Sequence, residues 1–187
     1  VCSSDLLTGG SLTVALVTAH VPLASVPGLL SGPEILRVGK LLADFLKARG
    51  IARPRIAVAG LNPHAGENGD LGREEIEIIA PAVADLALIG DFRGPFAPDT
   101  VFHRAVEGEF NGVLCMYHDQ GLIPLKLHAF HEGVNVTLGL PFVRTSPDHG
   151  TAFEIAGRGL ARADSMKAAI RLAAELAASG RKIRTAQ

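Results

Sequence analysis

The sequence predicts an α/β fold, a mostly parallel sheet flanked by helices. Short β-prone apolar runs alternate with longer segments of helical periodicity, which is the signature of that class. The chain has 187 residues, 48% of them hydrophobic, enough for one sizeable core or for one domain plus part of another. Neither internal repeats nor a low-complexity linker interrupts the alternation.

The elements follow in order. Residues 11–20, SLTVALVTAH, form an apolar run that ends on His20. Ser31-Gly-Pro-Glu34 reads as a capping box, with Ser31 at the N-cap and Glu34 reaching back. The helix it opens carries Ile35, Val38, Leu42, Phe45 and Leu46 on one face, and Gly50 stops it. RIAVAGL, residues 55–61, is a second buried strand, and the polar, Gly-rich stretch 62–72 is a loop. A helix from about Arg73 to Leu86 follows, with a kink at Pro81. ALIG, residues 87–90, reads as a short third strand. Asp99 is placed to cap a helix running to about Glu107. GVLCMY is the fourth strand, GVNVTLGL the fifth, and a final Ala/Leu-rich helix spans about Asp164 to Ser179. The opening stretch VCSSDLLTGGS has no Met and no basic region, so it reads as an internal start and not as a signal peptide.

Charged residues make up 20% and the net charge is −1. That balance gives no electrostatic case for nucleic acid or an anionic membrane, and no basic cluster is interleaved with aromatics. No apolar run reaches the roughly 18 residues of a membrane span. The two cysteines, Cys2 and Cys115, form neither a CxxC pair nor a disulfide framework, so a reducing cytoplasm is the expected setting.

In α/β folds ligands gather at the C-terminal ends of strands. Three strands here end on a histidine or run into a loop that carries one: His20, His64 and His118. For one such histidine, capping or solvation is the simpler role. Three in equivalent positions make a divalent metal centre an equal alternative, because three imidazoles leave a coordination position for substrate. His103, His128, His131 and His149 share no such setting. His103 is expected on a helix surface and His149 in a bond to its own loop.

A second group is basic. Lys126, Asn135 and Arg144 lie on successive segments after His118 and offer a point charge, an amide and a planar fork, the groups that hold a phosphate monoester or a carboxylate. Ordinary solvated charges are the simpler alternative for Lys126 and Arg144. Asp119 and Asp99 are candidate acid–base groups. NPHAGENG satisfies neither nucleotide-loop fingerprint, and its glycines equally suit a turn.

Taken together, VTAHVPL, GLNPHAGENGDLGREE, GPFAPDTVF, MYHDQGLIPLK and GVNVTLGLPFVRTSPDHGTAFEIAG resemble the 4-hydroxythreonine-4-phosphate dehydrogenase family of pyridoxal 5′-phosphate biosynthesis. The likeness runs from about residue 11 almost to the end, in the family's order and spacing. It implies a subunit of the isocitrate/isopropylmalate dehydrogenase type, a homodimer, and active sites in an interdomain cleft shared between chains. It also implies metal ligands at His20, His64 and His118 (for Zn, Mg or Co) and substrate contacts at Lys126, Asn135 and Arg144. The implied reaction is NAD-dependent oxidation of 4-phosphohydroxy-L-threonine to a β-keto acid that decarboxylates to 3-amino-2-oxopropyl phosphate. Asp119, Asp99 and Lys126 stand as candidate proton acceptors, and the NAD-binding residues are not indicated. Relatives acting on threonate or erythronate 4-phosphate share much of the pattern, and a non-catalytic metal- or phosphate-binding fragment is a further alternative. A metal-dependent phosphatase is disfavoured because clustered carboxylates are lacking. Family members are longer at the N-terminus. Residues 1–154 would then be the second, metal- and substrate-binding domain, and 155–187 a segment returning to a first domain.

Overall fold

The chain enters the sheet through a tight hairpin. In the computed structural model, which describes residues 4–179, β1 (Ser4–Gly9) and β2 (Leu12–Leu16) pair antiparallel with Leu6 opposite Ala15 and Thr8 opposite Thr13. Gly10 turns the corner at φ 55°, a conformation that glycine adopts without a Cβ penalty. β1 lies within the stretch read from sequence as a bare start. Cys2 lies outside the described residues.

After a short helix α1 (Val26–Leu29), the long helix α2 (Gly32–Ala48) buries all five of its predicted apolar positions. The expected capping box does not form. Ser31 occupies the N-cap without a side-chain bond, and Glu34 instead accepts from Arg37 Nε at 2.8 Å. A charge-assisted bond one turn along the helix competes successfully with a neutral capping contact.

The rest of the chain adds β3 (Arg55–Ala59), α3 (Ala80–Ala87), β4 (Asp91–Phe96), α4 (Pro98–Val106), β5 (Gly112–Cys115), α5 (His118–Ala129), β6 (Val134–Leu138), β7 (Thr145–Pro147) and α6 (Asp164–Ala178). Three sequence expectations are corrected here. The irregularity assigned to Pro81 takes the form of a π turn at Glu75–Ile79 just before α3, since Pro81 has no N–H for the carbonyl one turn back. The strand expected at 87–90 lies one step later: residues 87–90 close α3, with Ile89 and Gly90 N–H groups bonded to Leu86, and β4 follows. Finally, His118 does not end a strand. It opens α5, with Tyr117 as the N-cap.

Among the described residues the sheet has seven strands in the order β4-β3-β5-β2-β1-β6-β7. β2, β5, β3 and β4 run parallel, and β6 shares their direction because two antiparallel pairings relate it to β2. Alternation along the strands divides the core. Leu6, Ile56, Val58, Leu114, Val134 and Val136 face α2, α3 and α6, whereas Leu7, Val14, Ala57 and Val113 face α4 and α5. The result is a three-layer α/β/α arrangement.

α6 packs on the β6–β7 edge. Thr145 Oγ1 donates to the Ala169 carbonyl at 2.9 Å, and Ser165 Oγ to that of Gly133 at 2.6 Å. Met166 and Ile170, one turn apart, remain exposed on it. Residues 180–187 of the expected C-terminal segment lie outside the described residues.

Helix α5 lies so close to the sheet that a Cβ on Gly121 would come within 3.0 Å of Cys115 Sγ, 3.1 Å of Leu16 Cδ2 and 3.2 Å of Val14 Cγ2. Gly121→Val should therefore lower unfolding stability by about 1–3 kcal/mol through overpacking. A urea titration checks it, and an unchanged midpoint would mean that α5 lifts freely off the sheet.

Candidate metal and substrate site

Strands β2, β5 and β3 lie side by side in parallel, so their C-terminal ends coincide on one edge of the sheet. The pairing continues past the strands, with Val17 N–H bonded to the Cys115 carbonyl and Thr18 N–H to that of Met116. The segments that leave these three ends carry His20, His118 and His64. The imidazoles of His20 and His118 are neighbours, with ring centroids 5.2 Å apart.

Two of the three histidines sit in a costly backbone conformation. His20 has φ 55° and His64 φ 52°, and residues 64–68 are all in the left-handed region. For L-residues this costs roughly 1–2 kcal/mol each, and such strain concentrates at functional sites.

Each of the three rings also meets a carboxylate at the same nitrogen. Glu67 lies 2.7 Å from His64 Nδ1, Asp119 2.7 Å from His118 Nδ1, and Asp5 3.8 Å from His20 Nδ1. At 2.7 Å, Glu67 and Asp119 accept from Nδ1 and leave the Nε2 lone pairs of His64 and His118 available, which is how metal-bound histidines are commonly oriented; Asp5 is beyond hydrogen-bond reach of His20. The donor chemistry thus fits a borderline divalent cation. The ligand set is not closed within one chain, however: among the described residues no group of three or more His, Cys, Asp or Glu is gathered closely enough to hold an ion.

Lys126, Asn135 and Arg144 share the α5-facing side of the sheet's antiparallel half. Lys126, on α5, pairs with Asp148 at 3.3 Å; its side chain is 40% exposed and that of Asp148 only 14%. Asp148 in turn lies against Gly133, at the start of β6. Asn135 is in mid-β6, opposite Leu7 and Ser146. Its Oδ1 is buried with no hydrogen-bond partner among the described residues; leaving a polar atom so costs about 1–3 kcal/mol, which a bound donor would remove. Arg144 reaches the Thr137 hydroxyl farther along the same strand.

Asp119 serves His118 in this structure. Asp99 is exposed in the first turn of α4 and is not its N-cap, a position that Ala97 holds; its charge there suits the helix dipole. Among the other histidines, His103 is exposed on α4, and His149 Nδ1 bonds the Gly150 carbonyl at 2.9 Å. His128 bonds Ser11, and His131 meets Arg162. Burial pushes the Cys115 thiol up, which removes it as a nucleophile. Burial also raises the Tyr117 phenol, with the nearby Asp119 adding to the effect. Sequence reasoning missed Asp5, Glu67, Thr18, Glu75 and Gln120. For Glu67 a signal existed, its spacing from His64 within the Gly-rich loop.

Fold and site together define an α/β protein whose parallel strands β2, β5 and β3 lead into histidine-bearing segments on one edge of the sheet, with His20 and His118 adjacent. The sequence profile of the pyridoxal phosphate biosynthetic protein PdxA family matches residues 3–173, and the chain belongs to that family. It is 58% identical over 175 residues to the 4-hydroxythreonine-4-phosphate dehydrogenase of Caulobacter vibrioides, covering 92% of this chain and 53% of the relative. With the enzyme of the same name from Desulforapulum autotrophicum it shares 54% identity over 171 residues, covering 90% and 50%. The crystal structure of the Klebsiella pneumoniae 4-hydroxythreonine-4-phosphate dehydrogenase superposes with a TM-score of 0.85 at 50% identity, covering 94% of this chain and 53% of that one. The chain spans about half the length of the curated relatives it matches.

If His64 is held in its left-handed conformation for its imidazole, His64→Asn should leave the metal-free chain as stable as before, since Asn tolerates that region better. Metal affinity should fall by at least ~10-fold. Thermal unfolding and Co²⁺ titration test the two halves. A loss of more than ~1 kcal/mol without metal would instead assign His64 a structural role through Glu67.

Proposed function

We propose that this chain is the metal- and substrate-binding part of an NAD-dependent dehydrogenase that oxidises 4-phosphohydroxy-L-threonine, yielding 3-amino-2-oxopropyl phosphate after decarboxylation, in pyridoxal 5′-phosphate biosynthesis. The observation that carries this reading is that the segments leaving the neighbouring parallel strands β2, β5 and β3 carry His20, His118 and His64, with His20 beside His118 and carboxylates bonded at Nδ1 of His64 and His118. The names of the relatives support the substrate class.

In this reading His20, His64 and His118 would hold one divalent ion (Zn, Mg or Co), while Glu67 and Asp119 orient the rings of His64 and His118. A divalent ion there would lower the pKa of the substrate's secondary alcohol and stabilise the negative charge left when CO₂ departs. NAD⁺ would accept the hydride. Lys126 and Arg144 bind the anionic end of the substrate, and the Asn135 carbonyl accepts a hydrogen bond from one of its donors. Asp119, Asp99 and Lys126 are the candidate proton acceptors; Asp119 is engaged with His118 and Lys126 with Asp148 in this structure.

A homodimer with shared sites belongs to the same proposal. The exposed apolar stripe of Ile123, Leu127 and Phe130 along α5 supports it, a stripe of the kind that marks protein contacts. The assignment of residues 1–154 to a second domain and of 155–187 to a segment reaching a first domain is likewise proposed, as is a cytoplasmic setting. Among the described residues no helix is long and apolar enough to cross a membrane.

The test joins this chain to the N-terminal half of the Caulobacter vibrioides relative and follows NADH with 4-phosphohydroxythreonine, threonate 4-phosphate and erythronate 4-phosphate. Turnover of the first in preference to the others is expected. Preference for either acid phosphate reassigns the substrate, and metal binding without turnover of any of the three leaves a non-catalytic binding domain. In the active chimera Arg144→Lys should raise KM by at least ~10-fold, since a point charge cannot replace a bidentate fork. Its metal affinity should stay unchanged. Normal KM would make Arg144 a surface charge.

A further inference from the structure

The three histidine-bearing ends are tied together by a line of buried polar side chains that sequence reasoning did not single out. Thr18 Oγ1 donates to the Met116 carbonyl at 2.8 Å, joining the segment of His20 to that of His118. The Met116 N–H donates to Gln120 Oε1 at 2.7 Å, and Gln120 Nε2 donates to the Gly60 carbonyl at 2.7 Å. Gln120 thereby bridges the turn before His118 to the end of β3, where the loop of His64 begins. From there Glu75 takes over: its Oε1 accepts from the N–H groups of Leu61 and Asn62, both at 2.7 Å, and its Oε2 from Asn62 Nδ2 at 2.9 Å. Glu75 is 3% exposed, Thr18 and Gln120 7% each.

The line runs where the backbone is under most strain. Directly beyond Asn62 come residues 64–68, all left-handed, a run that persists only if its surroundings over-determine it. Glu75 fills that role. A Cβ at Gly66 would come within 2.7 Å of its Oε2, and one at Gly60 within 3.0 Å of its Oε1, so the loop is wrapped against this one carboxylate. A carboxylate this buried is costly unless its oxygens are satisfied, and three donors from the loop satisfy them.

The geometry points to Gln120 and Glu75 as positioning residues of the histidine site: Gln120 sets the spacing between the ends of β5 and β3, and Glu75 holds the strained loop that presents His64. This inference rests on the metal reading above and assigns parts to residues outside the ligand set.

The test is Co²⁺ binding to the 187-residue chain, followed by its visible absorption bands, beside thermal unfolding of the metal-free chain. Gln120→Met and Glu75→Met should bind Co²⁺ at least ~10-fold more weakly, as losses around metal ligands commonly do, and should shift the bands. Glu75→Gln keeps an acceptor oxygen for the Leu61 and Asn62 N–H groups and should restore both readouts. Leu172→Ala, a core truncation on α6, which packs on the β6–β7 edge away from β3, should lower Tm while leaving affinity and bands unchanged. Wild-type affinity and bands in Gln120→Met and Glu75→Met overturn the inference, and so does an affinity loss that simply tracks Tm through Leu172→Ala. Should the Met variants fail to fold, Thr18→Val deletes only the Met116 tie; shifted bands support the inference and unchanged bands overturn it. Where only the active chimera binds Co²⁺, the variants are compared in it; binding by neither the wild-type chain nor the chimera overturns the metal reading itself, and this inference with it.

Discussion

β5 is hydrogen-bonded in parallel to β2 on one side and to β3 on the other, and the positions of the candidate residues follow from that pairing. Parallel strands end together, so segments far apart in sequence leave the sheet at one edge. β5 is inserted between two strands that precede it in the chain. His118 is consequently flanked by the segments that carry His20 and His64, and no local motif could have brought the three together.

Stability alone would not select histidine at these places. Glycine or asparagine meets a left-handed φ at lower cost, yet His20 and His64 occupy such positions. The strain is offset by two well-filled apolar layers on either face of the sheet and by buried polar side chains that satisfy the backbone groups released where the strands stop. Such groups must find partners once water is excluded. Thr18, Gln120 and Glu75 provide them, and in doing so fix the directions in which the loops leave.

Much of this was legible in the sequence, and the failures have physical causes. α2 was plain because its apolar positions repeat at helical spacing. α5 was missed because it has no polar face to mark it: Leu122 and Leu125 are buried, whereas Ile123 and Leu127 are exposed, so apolar residues surround the helix and Pro124 lies inside it. β4 was displaced because Arg93, Gly94 and Pro95 break its strand pattern, as happens on an edge strand. β1 was hidden because it is buried on both faces and so shows no alternation, and its Ser4, Asp5 and Thr8 interrupt the apolar run. Of the candidate site, eight residues came from the sequence, but the carboxylates Asp5 and Glu67 did not: Asp5 lies on the unrecognised strand β1, and an acidic side chain in a Gly-rich loop, as Glu67 is, ordinarily reads as solvated. Glu75 was more deceptive: it follows Glu74 in what reads as a helix surface, and only the fold reveals that one of the pair is buried.

Helix α5 joins the two halves of the site. Its first turn carries His118 and Asp119, whose carboxylate lies 2.7 Å from the His118 Nδ1 and sits favourably at the positive end of the helix dipole. Two turns on, the same helix carries Lys126, held against the mostly buried Asp148. A lysine kept in place by an internal counter-ion has already lost much of its rotamer freedom, so less is lost again on binding an anion. Under the proposed reading, a phosphate monoester, with more charge and more acceptor oxygens than the Asp148 carboxylate, would compete for the Lys126 ammonium by side-chain movement alone, while the close approach of Gly121 to the sheet keeps the helix, and His118 with it, in place.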